Sequence, residues 1–160
     1  MTIKVGDHIP SATLMQMKDG GPKPVSTDEL FKGKTVALFA LPGAFTPTCS
    51  AKHLPGFIQQ YDALKAKGVD VIACLSVNDA FVMGAWGNQQ GAGDKMMMLA
   101  DGNGDFTRAV GLEMDGSKFG MGKRSQRYSM IVKDGVVKAL NVEAPGAFEV
   151  SSAEHLLGQL

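Results

Sequence analysis

The chain is poor in cysteine, with only Cys49 and Cys74 among 160 residues. They form neither a C-x-x-C pair nor a spaced disulfide framework, which argues against a stapled secreted scaffold and against dithiol exchange. Histidine is scarce as well: His8, His53 and His155 lie far apart. With two cysteines they make a poor structural zinc site, which needs four ligands at tight spacing. Neither sign of charge is in excess, since Lys+Arg and Asp+Glu both number 16. That balance disfavours a general nucleic-acid or polyanion binder. No apolar run approaches the roughly 20 residues needed to cross a bilayer. The opening MTIKVGDHIPSATL lacks the apolar stretch and small-residue cleavage site of a secretory signal, so a cytosolic location is expected. There is no P-loop, and no glycine fingerprint opens a helix after a strand. No nucleotide, flavin, haem or metal cofactor is expected.

What is present fits one globular domain over residues 1–160, with 44% hydrophobic and 20% charged residues. Residues 11–17 read as a first strand, ended by a turn at Gly20-Gly21-Pro22. Ser26 and Glu29 have capping-box spacing and open a short helix that Gly33 stops. The continuous apolar run at 36–41 is that of a strand buried on both faces. A helix is expected over residues 49–67, with Leu54, Phe57, Ile58, Tyr61 and Leu64 on one face and a kink at Pro55. A second buried strand follows at 69–77, which completes a right-handed βαβ unit. Asn78 or Asp79 caps the next helix, which carries Trp86, and residues 96–99 are a short strand. Residues 105–110 form another short helix. Residues 111–123 are glycine-rich and read as loop. Two strand-like runs joined at Asp134-Gly135 are a hairpin, and Ser151 with Glu154 caps a terminal helix. The class is α/β, with a mixed central sheet and helices on both faces. A βαβ unit followed by a hairpin and a helix is the thioredoxin-like plan, here with an N-terminal extension.

Cys49 is the residue placed for chemistry. It follows the C-terminal end of a buried parallel strand, where open α/β sheets bind ligands. It also falls at a helix start, where free N–H groups and the macrodipole favour an anion. An ordinary thiol of pKa about 8.5 is only about 3% thiolate at neutral pH. Making the anion dominant takes roughly 2 kcal/mol, and one helix end contributes about 0.3–1 kcal/mol. A cation must supply the rest. Arg127, at the mouth of the strand beginning RYSM, is the candidate, because guanidinium keeps its proton and donates through a fork. Thr46 brings a hydroxyl three residues before the sulfur. Pro42 and Pro47 stiffen the loop between.

The string Pro42-Gly-Ala-Phe-Thr46-Pro-Thr-Cys49 resembles the peroxiredoxin motif P-x-x-x-T-x-x-C. PGAFTPTCSAKHLPGF, CLSVND, FVMGAWG, LADGNGDF and RYSMIVKDGVVKALNVE extend the resemblance to the type-II, peroxiredoxin-5-like subfamily along nearly the whole chain. The resemblance implies a thiol peroxidase. In it Cys49 attacks the peroxide and becomes a sulfenic acid, Thr46 orients the peroxide, and Arg127 stabilises thiolate and departing oxygen. Pro42 shields the sulfenic acid, and the N–H groups of Thr48 and Cys49 complete the donor set. It implies a homodimer too. Some members carry a resolving cysteine in the last loop, where Val150, Ser151 and Ser152 stand here. An external thiol is then the reductant, with glutathione and glutaredoxin favoured over thioredoxin.

The plainer readings are set beside these. Cys74, mid-strand in VIACLSV, is expected to be core packing, with a resolving role as the minority alternative: it lies about three residues or roughly 10 Å from the strand end, and a disulfide needs Cα atoms within about 7 Å. His53 is read as a polar helix residue at the edge of the site. Arg124 competes with Arg127 for the charge role. Met96 to Met98 are read as strand packing; Phe45, Trp86, Phe119 and Met121 are candidates for an apolar wall or dimer contact, though each taken singly is more often plain packing. The alternative from another class is a non-catalytic thioredoxin-like binding or chaperone domain whose thiol is incidental.

Overall fold

The computed structural model describes residues 1–160. At its centre is a seven-stranded mixed sheet built on the expected βαβ unit. Strand β3 (Thr35–Ala40) and β4 (Val71–Ser76) pair in parallel, and β5 (Met97–Ala100) adds in parallel to β4. On the other side of β3, β8 (Tyr128–Lys133) and β9 (Val136–Val142) run antiparallel. Their two-residue connection, Asp134-Gly135, has positive φ at both positions, 49° and 79°. That is the turn chemistry the dipeptide dictates.

Burial follows the strand period. In β3, Ala37 and Phe39 enter one apolar cluster, while Val36, Leu38 and Ala40 enter another on the opposite face. Both faces are covered, which explains why this strand reads as unbroken apolar sequence. Helix α1 (Thr27–Phe31) and α5 (Asp105–Val110) cover one face. Helices α2 (Leu54–Gln59), α3 (Tyr61–Ala66), α4 (Ala80–Gln90) and α6 (Ala153–Leu157) cover the other.

Several local expectations are corrected. Strand β1 spans Thr13–Lys18 and pairs antiparallel with β2 (Gly21–Ser26), a strand not anticipated. Strand β2 contains Pro22 and Pro24 but lies at the sheet edge, where a missing N–H costs no ladder bond. The supposed loop at 111–123 holds β6 (Glu113–Asp115), which pairs with β7 (Lys123–Ser125) in a separate ribbon. Ser26 makes no side-chain cap bond. Ser152, not Ser151, caps α6 by accepting from the His155 amide.

The long helix expected at 49–67 is three pieces. The helical run begins at Pro47, and residues Cys49–His53 form a π-helical turn, closed by the Leu54 amide on the Cys49 carbonyl. Helix α2 then starts with Pro55 in its first turn, where its missing N–H is harmless. The chain breaks again at Gln60, whose φ and ψ are −95° and 13°. The disturbance attributed to Pro55 thus falls before and after it. It widens the turn that carries Cys49.

Candidate active site

The loop from β3 to the helix start is pinned at several points. The Pro42 carbonyl accepts from Arg124 Nη1 at 3.1 Å. The Ala44 amide donates to Asn78 Oδ1 at 3.0 Å, and Asn78 Oδ1 also accepts from the Ser76 hydroxyl. The Thr46 hydroxyl donates to the Gly43 carbonyl at 2.6 Å. That fixes the proton and leaves the oxygen's lone pairs for a donor such as a hydroperoxide. Phe45 sits in the left-handed region at φ 65°. For a residue with a Cβ this conformation costs on the order of 1–3 kcal/mol and persists only where its surroundings impose it. A Cβ at Gly43 would lie 2.7 Å from Arg124 Nη1, so a side chain there would push the guanidinium aside.

Cys49 follows in the first turn of the helical run, where the leading N–H groups have no acceptor one turn back. Its side chain is fully buried. Arg127 Nη2 donates to Cys49 Sγ at 3.1 Å. The guanidinium arrives there because Ala40 pairs with Tyr128, which sets Arg127 beside the end of β3. Its other terminal nitrogen, Nη1, lies 2.9 Å from His53 Nδ1. The far ring nitrogen of His53, Nε2, lies 2.9 Å from the Ser151 carbonyl. A carbonyl only accepts, so Nε2 carries the ring proton and Nδ1 presents its lone pair to Arg127.

His53 is therefore not the edge residue the sequence suggested. Four residues after Cys49 it shares that face of the helical run and is fully buried. Phe39, Phe57 and Phe148 surround its ring at centroid distances of 5.0, 5.8 and 5.1 Å. Burial first, and then the neighbouring Arg127 charge, push its pKa from the usual 6.5 down to about 3, against the Ser151 carbonyl and Glu143. The imidazole stays neutral and serves Arg127 as an acceptor.

Sequence reasoning also missed Glu143, just past β9. It is buried, and its carboxylate accepts from the amides of Glu149, Val150 and Ser151 and from the Ser151 hydroxyl, all at 2.7–2.9 Å. Burial pushes its pKa up, but these hydrogen bonds outweigh it and hold the carboxyl below its usual range. The available signal was a single glutamate at a strand end with no lysine or arginine nearby in sequence. Arg124 is corrected from a rival cation to a loop clamp, bonded to Pro42 and to the Met121 carbonyl. Trp86 is plain core packing: it is fully buried, with Nε1 donating to the Ser50 hydroxyl at 3.0 Å.

A cavity of about 330 Å³ opens over the site, and its lining includes Pro42, Thr48, Met114, Arg127 and Pro145. A small molecule entering it meets the guanidinium one hydrogen bond from the sulfur. No group of three or more histidine, cysteine or acidic side chains is arranged to hold a metal. No helix is long and apolar enough to cross a membrane.

A loop-borne cysteine at a helix start, beneath a parallel strand and against a guanidinium, defines a thioredoxin-like thiol site. The Redoxin family model matches residues 4–157. The chain is 56% identical to peroxiredoxin-2E-2, chloroplastic, of Oryza sativa subsp. japonica, across 99% of this chain and 73% of that protein. It is 52% identical to peroxiredoxin-2E, chloroplastic, of Arabidopsis thaliana, across 99% and 70%. Reduced Prx3 of Vibrio vulnificus in complex with hydrogen peroxide superposes with a TM-score of 0.95 at 58% identity, covering 98% of each chain. This chain belongs to the redoxin family and, within it, to the peroxiredoxins, which are thiol peroxidases of thioredoxin-like fold. The expected cytosolic location is overturned by the same relatives, since both plant proteins are chloroplastic.

Proposed function

We propose that Cys49 is the peroxidatic nucleophile. Its thiolate attacks the terminal oxygen of a hydroperoxide, the O–O bond breaks, and the leaving alkoxide or hydroxide takes a proton to become alcohol or water. The sulfur is left as a sulfenic acid. The single observation that carries this reading is the hydrogen bond from Arg127 Nη2 to Cys49 Sγ at 3.1 Å. A guanidinium fixed there favours the anion before reaction and meets charge growing on the departing oxygen. Thr46 accepts from the peroxide hydroxyl, and Pro42 covers the approach. The substrates are hydrogen peroxide and alkyl hydroperoxides, for which the cavity beside Met114 and Pro145 leaves room.

An external thiol returns the sulfenic acid to thiol: the first thiol forms a mixed disulfide and releases water, and the second displaces Cys49. Glutathione with glutaredoxin is the favoured reductant, ahead of thioredoxin, because the loop at 150–152 carries no cysteine. The reaction needs no resident cofactor. Residues 1–160 act as one domain, paired with a second copy. The exposed Phe45, Phe81 and Phe119 supply apolar surface for that pairing, which sedimentation of the reduced protein tests.

Stopped-flow mixing with hydrogen peroxide and with an alkyl hydroperoxide tests the core reading. Oxidation far faster than that of free cysteine is expected, and a rate no faster restores the binding-domain alternative. Turnover assays supplied separately with glutathione plus glutaredoxin and with thioredoxin decide the reductant.

A further inference from the structure

A buried charge without a counter-ion stands behind the site. Glu143 joins no salt bridge, and its carboxylate is held only by the turn at 149–151 and the Ser151 hydroxyl. Three successive amides converging on one anion form a nest, a geometry that the anion itself stabilises. The backbone ties Glu143 to the catalytic strand as well, because its amide donates to the Arg127 carbonyl at 2.9 Å.

One carbonyl of this turn is the informative group. The Ser151 carbonyl faces His53 Nε2, so the turn decides which ring nitrogen bears hydrogen. That choice leaves Nδ1 as the acceptor for Arg127 Nη1 and points Nη2 at Cys49. With the opposite tautomer, Nδ1–H would face a guanidinium N–H, and donor would oppose donor. Phe148, in the same segment, closes over both His53 and the guanidinium, at 5.1 and 5.8 Å.

We infer that Glu143 is a positioning residue for the peroxidase reaction: by folding the turn at 149–151 it sets the tautomer of His53 and through it the orientation of Arg127. Glu143 borders the cavity over the site, but its carboxylate is engaged by the 149–151 turn and makes no hydrogen bond to Cys49 or Arg127. The inference rests on the peroxidase reading for its kinetic consequence, but its structural half stands apart.

The test is Glu143→Gln, read by nitrogen-15 spectra of the His53 ring and by the rate of Cys49 oxidation. Glutamine turns one carboxylate oxygen into an N–H₂ that opposes the nest amides. Mixed or inverted tautomers are expected, with oxidation slowed about tenfold, the size of one hydrogen bond to a charged group. Asp101→Asn is the control. Asp101 is buried and caps α5 through the Phe106 and Thr107 amides, and its side chain makes no hydrogen bond to Cys49, His53 or Arg127. That variant should lose stability with His53 and the rate unchanged. If Glu143→Gln behaves like the control, the inference is overturned. Should Glu143→Gln not fold, Glu143→Asp takes its place, and its rate should fall between wild type and Arg127→Ala; wild-type values for rate and tautomer overturn the inference equally. A wild-type protein inert to peroxide sinks the parent reading instead and leaves the tautomer to decide.

Discussion

Cys49 and Cys74 are equally hidden, each with no exposed surface, and both belong to the same apolar cluster on one face of the sheet. Cys74 lies mid-strand in β4, opposite Phe39 on one side and Met98 on the other. Burial pushes its thiol well above the ordinary cysteine value, and the nearby Cys49 adds to this while Arg127 opposes it. Cys49 has the same lack of solvent but a guanidinium nitrogen at 3.1 Å and a helix start around it. Under the proposed reaction, solvent exposure does not separate the reacting cysteine from the structural one. A directed donor does.

The largest break in that comparison is removal of either sulfur. Cys49→Ser should abolish peroxide consumption, whereas Cys74→Ala should keep the oxidation rate within about twofold. Mass spectrometry of native protein after peroxide should find no disulfide between the two, and finding one would falsify the core assignment of Cys74. Next comes the donor. Arg127→Ala should slow Cys49 oxidation by about 10²–10³, as losing an oxyanion donor does elsewhere; stopped-flow fluorescence of Trp86, which is bonded to Ser50 beside Cys49, follows it.

The neutral acceptor behind Arg127 gives the third test. The folded pKa of His53 lies below the unfolded one, so its contribution to stability is full above pH 6.5 and is lost as pH falls towards 3. Roughly 2 kcal/mol should disappear between pH 6.5 and 4.5, and Glu143, also depressed, adds to the loss only below that. Urea melts across the window should show the slope, and His53→Gln should flatten it. The smallest effect is at Gly43. An alanine there pushes Arg124 from the Pro42 carbonyl and should slow oxidation several-fold, about 1 kcal/mol for one lost hydrogen bond.

Much of this was legible in sequence where one residue type serves one local need. The apolar run of β3 and the Asp134-Gly135 turn announce themselves because burial on both faces and positive φ admit few alternatives. The meeting of Arg127 with Cys49 was legible through loop chemistry and a motif. What stayed hidden depends on partners distant in the chain. Strand β2 pairs despite its prolines only because it is an edge. Strands β6 and β7 are three residues each and carry no apolar alternation. His53 reads as polar until Phe39 and Phe148 close over it, and Ser151 reads as a cap until Glu143, eight residues back, takes its hydroxyl and amide.

The wide π-helical turn at Cys49–His53 has one more implication. Under the proposed reaction, a sulfur without accessible surface should sort its visitors by bulk and admit a hydroperoxide more readily than a tripeptide or a partner protein. On that reading, regeneration should require the opening turn of this helix to unwind. An irregular turn resists unwinding least, so reduction, not oxidation, should track how often that segment exchanges its amide hydrogens.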